Sequence, residues 1–300
     1  MGLKKYIENP GMLLFFFGKR ECLNWISDET YIKMLFKVHF GYKLNLDAPR
    51  TYNEKLQWLK LHEKNSEYEK YADKYEVRQM VQNLLGSEYL IPLLWVGDKF
   101  EDIPFSSLPD QFVIKCTHDS GSVVVCKDKS QLDKNKTKKF IEKHLRMNMF
   151  WAGREWVYKN LKPRIIIEKY MGSDVSYPED YKFYVFNDKI DCVMICKDRD
   201  KGYPKFYFYD EEWNRLHYLK DEPADDVAKP DNFEQMLNVV KKLNVLKYPA
   251  IRIDLYDVNG QIYFGEYTFF NQGGFDLDIS RATDEHWGEL MDLKSHEENR

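Results

Sequence analysis

Two acids stand out in the stretch "AIRIDLYDVNGQIYFGEYTFFNQGGF", residues 250–275. Asp254 and Glu266 lie inside runs that are otherwise apolar and aromatic, where an ionised carboxylate needs a partner. The stretch reads as a β-hairpin around "DVNG". A two-residue turn at Asn259-Gly260 would set Asp254 opposite Gly265, with Glu266 on the other face. An aspartate opening a type I turn and a glycine closing it predict instead a three-residue loop, Val258 to Gly260, with a bulge. In that register Arg252 falls opposite Glu266. Asp254 is then diagonal to Glu266 on the same face, at about 7–8 Å between Cα atoms. Two roles fit such a pair. The carboxylates can share Mg²⁺, a hard ion that takes oxygen ligands and leaves room for phosphate. Alternatively, Arg252 bridges both as a structural ion pair.

A second constellation lies in "FVIKCTHDSGSVVVCKD", residues 112–128. It reads as strand, polar loop, strand, with Lys115 at the end of the first strand and Ser120, Gly121 and Ser122 in the loop. Backbone N–H groups of a small-residue loop can close over phosphates while a fixed lysine holds charge. The same stretch also reads as a surface hairpin. No GxxxxGK[ST] run occurs, so it is not a Walker A loop. "RIIIEKYMGSD" (164–174) is a buried-strand pattern ending in Glu168-Lys169, whose exit can offer backbone groups to an adenine edge. His118 is a candidate for substrate contact. Tyr207, Tyr209 and Trp213, in "KFYFYDEEW", read as sheet core and edge, with sugar stacking as their functional alternative.

The elements that must carry these residues change character along the chain. Up to about residue 85 the pattern is helical. "SDETYIKMLFKVHFGYKL" starts at Ser27 or Asp28 as N-cap, places Tyr31, Leu35 and Val38 on one face, and stops at Gly41. "TYNEKLQWLKLHEKN" predicts a second helix. "YADKYEVRQMVQNLLG" predicts a third, carrying Lys74 and ending at Gly86. From about residue 89, short runs rich in β-branched and aromatic residues predict strands, with helices near 131–146 and 231–247. The order is α+β, with hairpins rather than strict βαβ alternation. The loop "KDEPADDVAKPDN" (220–232) reads as an exposed connection or a lid.

The 300 residues allow one large domain or two modest ones. A net charge of −4 argues against a nucleic-acid partner. Five cysteines, an odd number with no CxxC pair, fit a reducing, cytoplasmic compartment. "MLLFFF" (12–17) is too short to span a bilayer. With Lys4, Lys5, Lys19 and Arg20 it allows peripheral contact at the inner face of the cell membrane.

The ordered set resembles the ATP-grasp superfamily over about residues 70 to 293. It runs from Lys74 through Lys115, Glu168-Lys169 and Lys182 to the Arg252/Asp254/Glu266 hairpin. "ADKYEVRQMV" looks like the helix bearing that superfamily's first nucleotide lysine, and "FVIKCTHDSGS" like its second lysine and phosphate loop. "IIIEKYM" looks like the adenine-side hinge, and "IRIDLYDVNGQIYFGEYTFF" like the metal hairpin. "RTYNEKLQWLKLH", "DYKFYVFN" and "GEYTFFNQGGF" resemble, more narrowly, the TupA-like branch associated with teichuronopeptide and other bacterial surface polysaccharides.

That resemblance implies an ATP-grasp fold, with nucleotide between two α+β subdomains. It divides the chain into a helical region over 1–72, a nucleotide-binding subdomain over 73–170 and a C-terminal subdomain over 171–300. It implies carboxylate–amine ligation through an acylphosphate, with ATP and Mg²⁺ as cofactors. Asp254 and Glu266 would hold the metal. Lys74, Lys115, Ser120, Gly121, Ser122 and Lys182 would meet phosphate, while Glu168, Lys169 and Met171 frame adenine. Arg252 and Lys115 would act in catalysis, and Asn271 to Gly274 would form a flexible wall at the acceptor. The implied partners are a uronic-acid-containing glycan or sugar nucleotide of a capsule or related polymer, a small amine (amino acid or amino alcohol), and the polysaccharide-synthesis machinery. Most relatives carry Glu-x-Asn in the metal hairpin, whereas Thr268 stands at the Asn position here and Asn271 follows three residues later. That puts a second metal ion in doubt. The competing readings are a glycosyltransferase or other polysaccharide-biosynthesis transferase, and an ATP-binding pseudoenzyme.

Overall fold

The computed structural model describes residues 10–172, 179–198 and 202–293. Lys4 and Lys5 of the basic N-terminal patch lie outside them. Helices α1 (Pro10–Gly18), α2 (Asp28–Phe40), α3 (Tyr52–His62), α4 (Glu69–Ala72) and α5 (Val77–Leu85) precede the sheets. Strands β1 (Leu93–Gly97), β2 (Phe112–Cys116), β3 (Val124–Cys126) and β4 (Ile165–Lys169) form an antiparallel sheet in the order β1-β4-β2-β3. Between β3 and β4 lie α6 (Lys134–Leu145) and α7 (Phe150–Gly153). The second sheet contains β5 (Glu179–Phe186), β6 (Lys189–Lys197), β7 (Lys205–Tyr209), β8 (Arg215–Leu216), β9 (Ile251–Val258) and β10 (Gln261–Thr268). Its order is β10-β9-β5-β6-β7-β8, and α8 (Phe233–Leu243) and α9 (Arg281–Leu290) complete the chain.

Local chemistry explains the helix limits. The Ser27 hydroxyl accepts the Thr30 N–H, and Gly41 ends α2 at φ 78°. The buried stripe of α2 is Tyr31, Ile32, Leu35 and Phe36; Val38, expected on that face, is exposed. Thr51 and Glu54 close a reciprocal capping box on α3. The single helix expected over 71–86 is broken. Asp73 Oδ1 accepts the N–H groups of Tyr75 (2.8 Å) and Glu76 (3.0 Å), so it caps a new helix. Lys74 therefore sits in a turn between α4 and α5, not within a helix.

The smaller sheet has one apolar and one polar face, whereas the second face of the larger sheet is charged only around β9 and β5. In the smaller sheet Phe112, Ile114 and Cys116 pack with Ile165 and Ile167 on a core that includes Phe100 and Ile141. Val113 and Lys115 alternate onto the opposite face. In the larger sheet Phe183, Ile253 and Leu255 join the main core, and Phe183 stacks on Phe233 of α8. Its other face carries Asp180, Lys182 and Tyr184, with Arg252, Asp254 and Tyr256 beside them. One end of that face is roofed by Trp287 of α9, stacked on Tyr184 at 4.7 Å, and by Tyr52 of α3. The rest stays open, and an isolated bridge ties Leu90, just before β1, to Phe264 of β10.

The β9–β10 hairpin reaches its register by a different route from the one expected. The turn has two residues, with Asn259 (φ 55°) and Gly260 (φ 84°) both left-handed, and Val258 pairs with Gln261. Asn-Gly adopts that geometry with little strain, and Asp257 Oδ1 accepts the Gly260 N–H at 2.8 Å. The predicted three-residue loop is absent, and Arg252 lies opposite Thr268 rather than Glu266. The bulge falls instead at Gly265, where the register shifts between Phe264 and Glu266. That shift puts Glu266 directly opposite Asp254. A Cβ on Gly265 would lie 2.9 Å from the Asp254 backbone oxygen, so the bulge requires glycine.

Gly265→Ala is therefore expected to lower stability by about 1–3 kcal/mol and to move Glu266 away from Asp254. Urea titration reads the first effect. Unchanged stability together with unchanged ligand affinity would contradict this account of the bulge.

Candidate active site

Three strands present one row of charge: Lys182 on β5 pairs with Asp254 on β9, which pairs with Glu266 on β10. Lys182 Nζ donates to Asp254 Oδ2 at 2.5 Å and to Asp180 Oδ2 at 2.7 Å. Arg252 lies two residues along β9 from Asp254 and so shares its face. Its Nε donates to Asp254 Oδ1 at 2.7 Å, and its Nη2 to Asp254 Oδ2 at 2.9 Å. The same Nη2 reaches Glu266 Oε1 at 3.3 Å, and Nη1 reaches Asn271 Oδ1 at 2.5 Å. Burial alone would push the Asp254 carboxyl upward; Arg252 and Lys182 outweigh it and hold the group below its ordinary range. Burial opposes the charge on Lys182 too, but Asp254 and Asp180 keep its ammonium above the usual value.

Across the cleft, Lys115 and Glu168 share the inner face of the smaller sheet. Lys115 Nζ donates to Glu168 Oε2 at 2.9 Å, and Arg78 Nη1 to Glu168 Oε1 at 3.0 Å. One of the three lysine protons is used in this contact, leaving two for a ligand. The loop after β2 is anchored from beneath. Asp119 is buried and accepts from the Ser122 hydroxyl and the His144 ring, while Ser122 Oγ accepts the Cys116 N–H at 2.9 Å. Ser120 and Gly121 form its exposed tip, with Gly121 at φ 90°. Lys74 Nζ donates to the Asp119 backbone oxygen at 2.5 Å, so this lysine is pinned to the loop.

These groups line a cleft of about 670 Å³. Lys74, Lys115, Ser120, Gly121, Glu168, Lys169, Met171, Lys182, Asp254 and Glu266 all reach it. Leu90, Ile91, Val113, Val125, Tyr256 and Phe264 give it apolar walls. Ser122 turns inward and does not line it. The Lys169 N–H is bonded to the Pro92 oxygen at 2.9 Å. A second pocket, about 500 Å³, lies beside the first and shares Lys74, Ser120 and Glu266 with it. Arg252, Asn271, Gln272 and Gly273 line this second pocket, together with Phe15 and Lys19 from the N-terminal region. The 271–274 wall is tied down: Lys60 Nζ donates to the Gly273 oxygen at 2.5 Å, and Gln57 Nε2 to the Gly274 oxygen at 2.5 Å.

Several sequence candidates fall elsewhere. His118 is buried, with Nε2 3.2 Å from the Met147 oxygen. Tyr209 and Trp213 stack on each other at 4.5 Å, and Tyr207 bonds Asp225; none of the three lines either cavity. The 220–232 loop is tied to the outer strands through Asp225 and Asp226 rather than lying over the cleft. Sequence reasoning passed over Arg78 and Asp180. Asp180 stands at same-face strand spacing, two residues before Lys182, whereas Arg78 lies on α5 and Lys74 in the turn before it.

The donor set fits Mg²⁺ accompanied by phosphate. Mg²⁺ is held by one or two carboxylates plus nucleotide oxygens rather than by an all-protein cage. Among the described residues no cluster of three His, Cys or carboxylate side chains could hold a metal alone. The Glu266 side chain is 41% exposed and has one ion-pair partner, Arg252, at 3.3 Å. Asp254 accepts three hydrogen bonds from Arg252 and Lys182, so one of its roughly four lone-pair sites remains.

A nucleotide-sized cleft between two antiparallel sheets, with cations on both walls and a carboxylate hairpin at one end, is the arrangement of an ATP-grasp protein. A profile of the TupA-like ATP-grasp family matches residues 54–292, and the chain belongs to that family. No curated sequence matches significantly. Similar solved structures include D-alanine–D-alanine ligase from Bacillus anthracis, at 14% identity and TM-score 0.46, covering 84% of this chain and 73% of that one. An L-amino acid ligase from Bacillus licheniformis matches at 12% identity and TM-score 0.46, over 83% and 57%. An ADP complex of N5-carboxyaminoimidazole ribonucleotide synthetase matches at 13% and 0.45, over 81% and 56%. The chain thus spans little more than half the length of the last two.

Lys115→Met keeps the stem packing and removes the charge. ATP affinity is expected to fall by about 1.5–3 kcal/mol, the range for hydrogen bonds to charged groups. Calorimetry giving the wild-type affinity would remove Lys115 from the site.

Proposed function

We propose that this protein is an ATP-dependent carboxylate–amine ligase that forms an amide through an acylphosphate. Its acceptor is the carboxylate of a uronic acid in a bacterial surface polysaccharide or its sugar-nucleotide precursor. The observation that carries the reading is the shared wall of the two cavities. Glu266, Lys74 and Ser120 border both, so a phosphoryl group at the inner end of the cleft faces an acceptor in the second pocket. The uronic acid rests on membership of the TupA-like family and on the cations Lys19 and Arg252 in that pocket.

In this reading the apolar end of the cleft takes adenine, with Met171 and Tyr256 against it and Glu168 and Lys169 at its edge. Lys115, Lys182 and Lys74 neutralise the phosphates, and the Ser120-Gly121 tip covers them. Glu266 and Asp254 would hold Mg²⁺, which supplies charge neutralisation on the phosphate oxygens. Arg252, released from part of its hold on the carboxylates, stabilises the acylphosphate oxygens as they form. The substrate carboxylate attacks the γ-phosphorus, ADP leaves, and an amine displaces phosphate from the acyl carbon.

An acylphosphate is trapped by hydroxylamine. With MgATP, a panel of uronic acids and hydroxylamine, the enzyme should yield a hydroxamate and ADP. With carboxyl-¹⁸O acid, one label should pass to the released phosphate. Arg252→Met should slow hydroxamate formation by about 10²-fold, as for loss of an oxyanion donor, while ATP affinity changes far less. AMP and pyrophosphate would point to adenylation instead. A glycosidic product from an activated sugar, without nucleotide turnover, would favour a transferase. ATP binding without turnover on any acid would favour a pseudoenzyme.

A further inference from the structure

Glu155 has no role in the steps above, yet it lines the second pocket beside Tyr158, Arg252 and Glu266. It follows α7 in a tight segment, and its setting is built from two bare glycine faces. A Cβ on Gly153 would come within 3.0 Å of Glu155 Oε1, and one on Gly273 within 3.3 Å. The same Lys60 ammonium holds both faces in place, donating to the Gly153 oxygen at 2.8 Å and to the Gly273 oxygen at 2.5 Å. Its remaining proton goes to Gln57 Oε1 at 3.0 Å. All three lysine donors are therefore spent on neutral acceptors, and none reaches Glu155. Among the described residues no hydrogen bond or ion pair engages the Glu155 carboxylate. The surface this residue keeps opens on the pocket.

An enclosed carboxylate with no donor is a costly arrangement. Burial pushes the Glu155 carboxyl up to about 7, against the pull of Lys60. A small cation entering the pocket would relieve that cost. The ring of Phe15 lies beside Gly153, and the Tyr158 phenol is within electrostatic reach of both Glu155 and Glu266. Aromatic surface next to a carboxylate favours an ammonium group. A single carboxylate is a poor home for a metal ion. The pocket is thus bipolar, with Lys19 and Arg252 for the acid substrate and Glu155 for a cation.

We propose that Glu155 is the amine site: from its pocket-facing side its carboxylate binds the ammonium group of the second substrate and accepts its proton. This assignment rests on the ligase reading. In the step, the ammonium gives one proton to the Glu155 carboxylate. The freed nitrogen lone pair attacks the acyl carbon, the C–N bond forms and the C–O bond to phosphate breaks. Phosphate leaves with that electron pair and takes the second proton as hydrogen phosphate. Charge balances, because one ammonium and one carboxylate become a neutral amide and a neutral acid.

The test uses the protein saturated with MgADP and titrated with ethanolamine, alanine and serine as cationic probes, for wild type, Glu155→Gln and Glu155→Asp. At least one probe should bind wild type and bind Glu155→Gln at least tenfold more weakly, with Glu155→Asp between them. Amide formation from that amine should fall by at least tenfold in Glu155→Gln. Hydroxylamine is uncharged at pH 7 and needs no proton acceptor, so the hydroxamate rate should stay within about threefold. A merely structural role would lower both rates together. Binding of every probe unchanged in Glu155→Gln, or absent in wild type, would overturn the proposal. If an amine binds through Glu155 while no acid ever gives a hydroxamate, the cation site stands and the ligase reading fails. Hydroxamate formation with amine binding indifferent to Glu155 gives the converse.

Discussion

Arg252 spreads its guanidinium over Asp254, Glu266 and Asn271 from a position that is almost wholly enclosed. A charge that deep needs partners, and among the described residues Arg252 makes four such hydrogen bonds. The partners come from β9, β10 and the 271–274 wall, so the hairpin and the acceptor wall share one electrostatic centre. Asn271 passes the connection on, donating to Asp276 Oδ2 at 3.1 Å. The Asp276 N–H in turn donates to Asn53 Oδ1 at 2.9 Å. Asn53 also binds Asp284 of α9, with both its N–H and its side-chain amide 2.9 Å from Oδ1. A chain of buried polar contacts thus ties the site to α3 and α9, the helices that roof the far end of the same sheet face.

The two walls of the cleft are built by opposite logics. In the larger sheet Lys182, Arg252 and Asp254 satisfy one another before any ligand arrives. The smaller sheet holds Glu168 between Arg78 and Lys115 with donors to spare. A polyanion would compete with Glu168 for Lys115 and with Glu266 for Arg252. Glu168 would keep Arg78 and the Glu266 side chain is 41% exposed, so neither exchange strands a charge in the core. The fully buried Asp254 keeps its partners throughout.

Much of this was legible in the residues themselves. Alternation along β9 puts Arg252 and Asp254 on one face, because a period of two follows directly from strand geometry. The shared face of Asp254 and Glu266 was inferred, but from a bulge at the wrong position. Turn chemistry favoured a bulge at Gly260, whereas the close backbone approach at Gly265 decides the matter. The amphipathic pattern of "YADKYEVRQMVQNLLG" predicts one helix that carries Lys74. The Asp73 cap that breaks the helix depends on a single side chain's rotamer. α1 and α9 escaped notice for different reasons: α1 is apolar on all sides, and α9 buries a single large aromatic residue, Trp287. Glu155 was invisible in sequence because its setting is assembled from α3, α7 and the 271–274 wall, which only tertiary structure brings together.

In the proposed reaction nucleotide and metal meet at the inner end of the cleft, between Glu266 and the Ser120-Gly121 tip. The most direct measurement is anomalous diffraction from crystals grown with ADP and Mn²⁺ in place of Mg²⁺. A manganese peak is expected at bonding distance from a carboxylate oxygen of Glu266, with Asp254 alongside and the ADP phosphates facing Lys115. Arg252 Nη2 should then have left Glu266 while Nε still holds Asp254. Bound ADP with Arg252 still bridging both acids and no manganese at Glu266 would contradict this arrangement, leaving the hairpin as a structural ion pair.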